Sequence, residues 1–306
     1  MKVLNFIHRV TKNHYIIIGL AFLIGLVFPA SVVWAAPYTT LLLMAIFFLS
    51  SLKIDLKNIF QQLEERKPTI LIITVFMLLV LPLLVYYLFS FFSPTLAVAF
   101  LILAAMPIGM TAPLLVEISG GKPSLALILT IVTSLLAPFT VPLIITTLAG
   151  ASVSVGFWSM FKLLAVIIYI PFFAAQFCKK IGQKKIDKVS GFFESISTVL
   201  LGILIMIIIA KQSEIIIGNF SYLYVGLLFL FFIFLHLVGY FLIPWLSKIN
   251  KLTVSVCVTY FNFTLAIEVA DKFFTDPNVI SLVVLSVIPW AVMFIPFKRI
   301  VARKNK

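Results

Sequence analysis

Acidic side chains are scarce in this chain. Ten Asp and Glu stand against twenty-three Lys and Arg in 306 residues, and charged residues make up only 11% of the total. No Asp-rich cluster exists to carry divalent-metal chemistry. The three histidines, His8, His14 and His236, have no metal-binding spacing. Cys178 and Cys257 are the only cysteines, and both lie in or beside apolar stretches, so neither a disulfide framework nor a metal knuckle is indicated. Gly120-Gly121-Lys122-Pro123 lacks the spacing and the Ser or Thr of a phosphate loop. A lipid-processing enzyme within the membrane would need His, Asp or Glu converging at one depth, and the chain supplies isolated ones. With 63% hydrophobic residues there is too little polar surface to cover a soluble domain.

What the chain has in abundance is long apolar runs. Ten are read, at 15–34, 37–52, 68–92, 95–117, 124–148, 155–178, 191–210, 218–246, 252–274 and 278–297. A hydrocarbon core about 30 Å thick needs roughly 20 apolar residues per helix, and most of these runs are long enough. The basic residues sort between them. Twenty of the twenty-three fall in alternate gaps: Lys2, Arg9 and Lys12; Lys53, Lys57, Arg66 and Lys67; Lys122; Lys179, Lys180, Lys184, Lys185 and Lys188; Lys248 and Lys251; and Lys298, Arg299, Arg303, Lys304 and Lys306. Short loops rich in Lys and Arg stay in the cytoplasm. The expected protein is therefore a multi-pass protein of the cell membrane with both termini cytoplasmic. The net charge of +13 marks loops beside the lipid bilayer, so nucleic acid is not an expected partner. The first run begins after basic residues, and Val33-Trp34-Ala35 could pass for a cleavage site. Its apolar stretch is too long for a signal core, and its removal would put the charge alternation out of phase.

Ten runs divide into five and five, giving a first unit over 1–148 and a second over 155–306, separated by the uncharged gap 149–154. Five crossings put the ends of a unit on opposite sides, so the second copy inserts upside down. Inverted repeats of this kind build many secondary transporters. The expected fold is an all-α membrane protein of ten helices in two inverted repeats, whose fourth and ninth segments are broken and cross at mid-membrane.

The breaks are read from residue chemistry. The fourth run carries Pro107, Gly109, Thr111 and Pro113 within seven positions. Each proline removes a backbone donor and clashes with the preceding turn, at about 3 kcal/mol or more inside a helix. In lipid the freed groups must meet protein or a wet cavity. The ninth run has no proline but gathers Cys257, Thr259, Tyr260, Asn262, Thr264 and Glu268. Interrupted segments at matching positions of two halves point to a transport site. A kink in a packed helix is the blander reading of the fourth run. Glu268 deep in an apolar run costs about 2.5–3.5 kcal/mol if ionised, which makes it the candidate proton or cation ligand, although Asp271 and Lys272 one turn on suggest the outer interface instead. Thr130, Thr133 and Ser134 in the fifth run could coordinate Na⁺ or bond back to helix carbonyls. His236 is expected to bond a neighbouring helix, Lys162 to snorkel to the outer interface, and Glu117 and Glu194 to be solvated.

At 41–57, 104–147 and 257–297, and in Phe261-Asn262-Phe263-Thr264-Leu265-Ala266-Ile267, the chain resembles the bile acid:sodium symporter family, part of a wider group of bile acid, arsenite and riboflavin transporters. The resemblance implies broken fourth and ninth helices around substrate and ion sites, with Na⁺ as coupling ion. It places the family's ion-ligand positions at Ala112 and Pro113, Ala126 and Thr130, Cys257 and Phe261, and Met77. Of these only Thr130 keeps a side-chain oxygen, so it is the candidate metal ligand that the resemblance retains, and H⁺ or no coupling is as consistent as Na⁺. The solute implied is small, organic and amphipathic or anionic. A sensor or scaffold on the same fold is the alternative function. No cofactor is expected.

Overall fold

The computed structural model describes residues 14–150, 156–218, 221–294 and 296–297. The basic residues before 14 and after 297, and most of the central gap 149–154, lie outside the described residues, as does the Glu194 side chain. Among the described residues every regular element is helical. In chain order they are α1 (His14–Val27), α2 (Pro29–Val32), α3 (Thr39–Leu52), α4 (Leu56–Val75), α5 (Leu81–Ser90), α6 (Pro94–Ala105), α7 (Ala112–Ile118), α8 (Pro123–Leu148), α9 (Phe157–Gly218), α10 (Tyr222–Phe241), α11 (Lys248–Thr259), α12 (Phe263–Phe273), α13 (Pro277–Leu285) and α14 (Val287–Val292). Among the described residues, six stretches are long and apolar enough to cross a bilayer: Pro29–Leu52, Lys67–Ser90, Pro123–Leu148, Phe157–Phe193, Ser195–Glu214 and Tyr222–Phe241. Shorter apolar helices occupy Ile17–Val27, Pro94–Ala105 and Pro277–Val292.

Three local features depart from uniform runs, each for a physical reason. Most of the basic gap 53–67 is not a loop: after a short turn at 53–55, α4 starts at Leu56 and carries its polar first half straight into the apolar stretch. Between α4 and α5 lies a π-helical turn, Phe76–Val80, closed by the Leu81 N–H donating to the Phe76 carbonyl. Pro82 follows; its ring would collide with the carbonyl four residues back, and a wider turn relieves that clash. The sixth and seventh runs form one helical stretch, α9, bent at Gly182, whose φ of −138° and ψ of 33° leave the helical region.

The chain forms two compact units, each drawing one stretch from either half of the sequence: Met1–Asp55 with Lys162–Gly218, and Leu56–Phe161 with Asn219–Lys306. In the first unit α1 lies hard against the second arm of α9, with a Cβ on Gly25 placed 2.5 Å from the Met206 carbonyl oxygen. Small residues at such crossings let backbones approach. The end of α3 is held by α9, where Gln176 Nε2 donates to the Ser51 carbonyl at 3.1 Å and Lys179 Nζ to the Ile54 carbonyl. Leu52, Ala175 and Phe193 form a buried cluster that draws both arms of α9 onto α3.

The second unit is built round α6, whose residues 97–105 are all buried. Phe100 stacks on Phe231 of α10 at 4.3 Å and meets Phe89 of α5 edge-on at 4.6 Å. After α7 the chain turns at Gly120, whose φ of 75° favours glycine, and the Gly121 N–H closes back on the Val116 carbonyl. The Lys122 N–H then donates to Thr253 Oγ1 at 2.7 Å, tying the start of α8 to α11. Helix α10 packs on α11 through Gly239, where a Cβ would stand 2.7 Å from the Ser255 Cα. Beside it His236 Nδ1 lies 3.1 Å from Ser255 Oγ, so the expected interhelical bond of His236 is present.

Candidate functional site

Both expected breaks are present, and they bond to each other. Helix α6 ends at Ala105, and Met106 turns extended, with φ −71° and ψ 147°. Residues 106–111 then run without regular helix to α7. Opposite, α11 ends at Thr259 and α12 begins at Phe263, leaving Tyr260, Phe261 and Asn262 between them. Ile108 and Phe261 pair as an isolated antiparallel bridge. The Gly109 N–H donates to the Tyr260 carbonyl at 2.9 Å, and the Asn262 N–H donates to the Pro107 carbonyl at 2.8 Å. Backbone groups released by one break are therefore met by those released from the other. In a low-dielectric interior, that pairing is what allows two broken helices to coexist.

The close approach depends on Gly109. A Cβ there would fall 2.9 Å from the Tyr260 carbonyl oxygen and 3.0 Å from that of Phe261. The two prolines of the fourth run act differently. Pro107 lies in the break and supplies a carbonyl acceptor. Pro113 lies in the first two positions of α7, where proline needs no intrahelical partner and fits the required φ.

Side chains brace the crossing from three sides. Thr133 of α8 accepts the Ile108 N–H on its hydroxyl at 3.2 Å and donates to the Thr130 carbonyl at 3.2 Å. Asn262 accepts the Leu265 N–H on Oδ1 at 3.1 Å and the Thr264 hydroxyl at 2.9 Å, capping α12 through its own side chain. Tyr260 sits in an aromatic box: His236, Trp290 and Phe294 present rings to it with centroids at 5.7, 6.0 and 5.7 Å, and Trp290 also contacts Phe263 at 4.6 Å. The Nε2 of His236 and the Nε1 of Trp290 are buried without a hydrogen-bond partner among the described residues. Because the Ser255 hydroxyl donates its hydrogen to the His236 carbonyl, the imidazole must carry its hydrogen on Nδ1, which leaves Nε2 as an acceptor.

The structure thus gathers Pro107, Gly109, Thr133, Tyr260, Asn262 and Thr264 into one cluster. Thr111 and Pro113 stand beside it at the mouth of α7, half-buried. Thr130 turns its hydroxyl back to the Ala126 carbonyl at 2.8 Å. Ser134 is buried with its hydroxyl unpartnered among the described residues, and Cys257 is fully buried one turn before Tyr260. Glu268 is also buried, but it lies six residues along α12 from Asn262, about 9 Å at 1.5 Å per residue. It pairs with Lys272 at 3.4 Å, one turn nearer the helix end. Trp290 and the Thr133 contact to the first break went unread in the sequence. The signal for Thr133 was there in part, as one of three hydroxyls, but nothing local distinguishes the one that reaches another helix.

Thr133→Val keeps the volume and removes the acceptor. The Ile108 N–H is then buried without a partner, at a cost of about 1–3 kcal/mol. Thermal unfolding in detergent is expected to show that loss for Thr133→Val and little of it for Thr133→Ser; equal behaviour of the two would show that the contact does not support the break.

A family model of the sodium bile acid symporters matches residues 40–219, more than half of the chain and including the first break. The chain belongs to the sodium bile acid symporter family. No curated protein sequence matches it. The family's name raises the question of sodium, and the residues present fit it poorly. A hard cation needs a shell of oxygens. Ala112, Ala126, Cys257, Phe261 and Met77 are all buried and offer no side-chain oxygen. The one hydroxyl in the set, on Thr130, already donates to its own helix.

Proposed function

We propose that this member of the symporter family is a secondary transporter of the cell membrane, carrying a small organic solute by alternating access without a tightly bound pair of sodium ions. Ten crossings in two inverted five-helix repeats, with both termini cytoplasmic, are the topology this reading requires. The six long apolar spans and the shorter apolar helices are compatible with it. The observation that carries the reading is the paired break. Two half-helices from different halves of the sequence meet through a two-bond backbone bridge, and no packing need of an ordinary bundle calls for one. The solute class is amphipathic or anionic, following the family.

With the sodium oxygens missing, coupling rests on a proton exchanged at Glu268 or is absent. Uptake of a labelled amphipathic carboxylate into proteoliposomes tests this directly. The expected result is uptake that does not change when Na⁺ is replaced by K⁺. If a pH gradient drives uptake, Glu268→Gln removes that drive. A strict Na⁺ requirement would overturn the sodium-independent reading, and pH-driven uptake that survives in Glu268→Gln would remove this residue from it. A sensor or scaffold on the same fold draws support from the burial of the crossing and the lost ligand oxygens. Absence of uptake for every solute, with binding retained, would favour it.

A further inference from the structure

The bend of α9 carries a charged surface that the transport reading does not use. Five lysines fall between 179 and 188, against one acidic residue, Asp187. Asp187 is engaged by Gln183, whose Nε2 donates to its Oδ1 at 2.8 Å. The segment has a fixed inner face: Ile186 packs against the Leu52–Ala175–Phe193 cluster, and Lys179 reaches the Ile54 carbonyl. Its outer face is left to Lys180, Lys184, Lys185 and Lys188, all exposed. Lys184 and Lys188 are four residues apart and Lys185 and Lys188 three apart, so like charges sit on one helical face and work against the helix unless an anion intervenes.

Apolar exposure leads straight into this charge. Phe177 and Ile181 are 65% and 72% exposed, spaced one turn apart on the arm that enters the bend. The segment lies in the second half of one long apolar stretch, Phe157–Phe193, and before another, Ser195–Glu214; lysines that end an apolar span favour the membrane surface. Side chains that suit an acyl chain thus run directly into side chains that suit a phosphate. We propose that the outer face of the α9 bend is a binding surface for an anionic phospholipid, with Phe177 and Ile181 against its acyl chain and Lys180, Lys184, Lys185 and Lys188 around its head group. Each basic side chain held at an anionic lipid surface is worth about 1 kcal/mol, about fivefold in association.

Cys178 provides a reporter in the right place. It is exposed, whereas Cys257 is fully buried, so a thiol-reactive fluorophore on the native full-length protein marks the bend. In bilayers containing brominated lipid, quenching is expected to give an association constant for brominated phosphatidylglycerol about fivefold or more above that for brominated phosphatidylcholine. The preference should fall towards unity in the Lys180→Gln/Lys184→Gln/Lys185→Gln/Lys188→Gln protein and persist when the same four are changed to Arg. In the native protein it should also shrink at about 0.5 M salt, where screening is strong. Equal quenching by the two lipids in the native protein would overturn the proposal. A preference unchanged in the Gln protein would overturn the assignment to these lysines. If millimolar inorganic phosphate abolishes the preference, the surface binds a free anion and not a lipid.

Discussion

Gly109→Ala is expected to abolish uptake and to lower stability by about 3–5 kcal/mol. The reason is steric and local. Gly109 does not have a positive φ, so alanine meets no backbone strain there. It meets instead two carbonyl oxygens, at 2.9 and 3.0 Å, and the Phe261 carbonyl carbon at 3.3 Å. None of these is the end of a flexible side chain that could rotate away. The two breaks must separate, and with them go the bonds from Gly109 N to the Tyr260 carbonyl and from Asn262 N to the Pro107 carbonyl. Each buried backbone group left without a partner costs about 1–3 kcal/mol. Gly226→Ala is the control, because a Cβ there meets nothing within 4 Å. Thermal unfolding of both proteins, with uptake measured in parallel, checks the claim. Near-normal stability and uptake in Gly109→Ala would show that the bridge is incidental.

Asn262→Ala is expected to have the next largest effect, a loss of about 2 kcal/mol with uptake reduced by an order of magnitude or more. One side-chain oxygen here performs two tasks, accepting the Leu265 N–H and the Thr264 hydroxyl, both buried. Its backbone N–H performs a third, bonding across to Pro107. Alanine preserves the third and removes the first two, so α12 frays at the end where it meets the crossing. Serine is a good cap but shorter, and Asn262→Ser should fall between the native protein and Ala; Asn262→Leu should lie below Ala because it adds volume to a filled site. An order in which Ser is no better than Ala would show that the cap is not what Asn262 contributes.

Much of the candidate site was legible because its chemistry is local. Pro107 and Gly109 announce a break in any apolar run, since a missing donor and a missing Cβ are written in the residues themselves. The ninth segment was harder. Thr259, Tyr260, Asn262 and Thr264 mark a polar interruption, yet no proline or glycine fixes its position. That Asn262 caps the following helix follows from the break, not the reverse. Glu268 reads alike in sequence whether it faces a transport path or a partner, and Lys272 four residues on is the partner seen. The π-helical turn at Phe76–Val80 could have been anticipated from Pro82, because the clash that proline creates falls at a fixed distance back along the chain.

The sequence alone determined the apolar helices, the alternation of basic gaps between them and the two places where regular helix fails. All three follow from hydropathy, charge and backbone chemistry, which act at or near the residue concerned. Only the tertiary structure decided that the two failures satisfy each other, that Thr133 and not Thr130 or Ser134 supports the first, and that each compact unit is assembled from both halves of the chain. Those outcomes join residues more than a hundred positions apart or choose among near-identical hydroxyls. Hydrogen bonds of that kind depend on where helices come to rest, and no periodicity within a single helix records it.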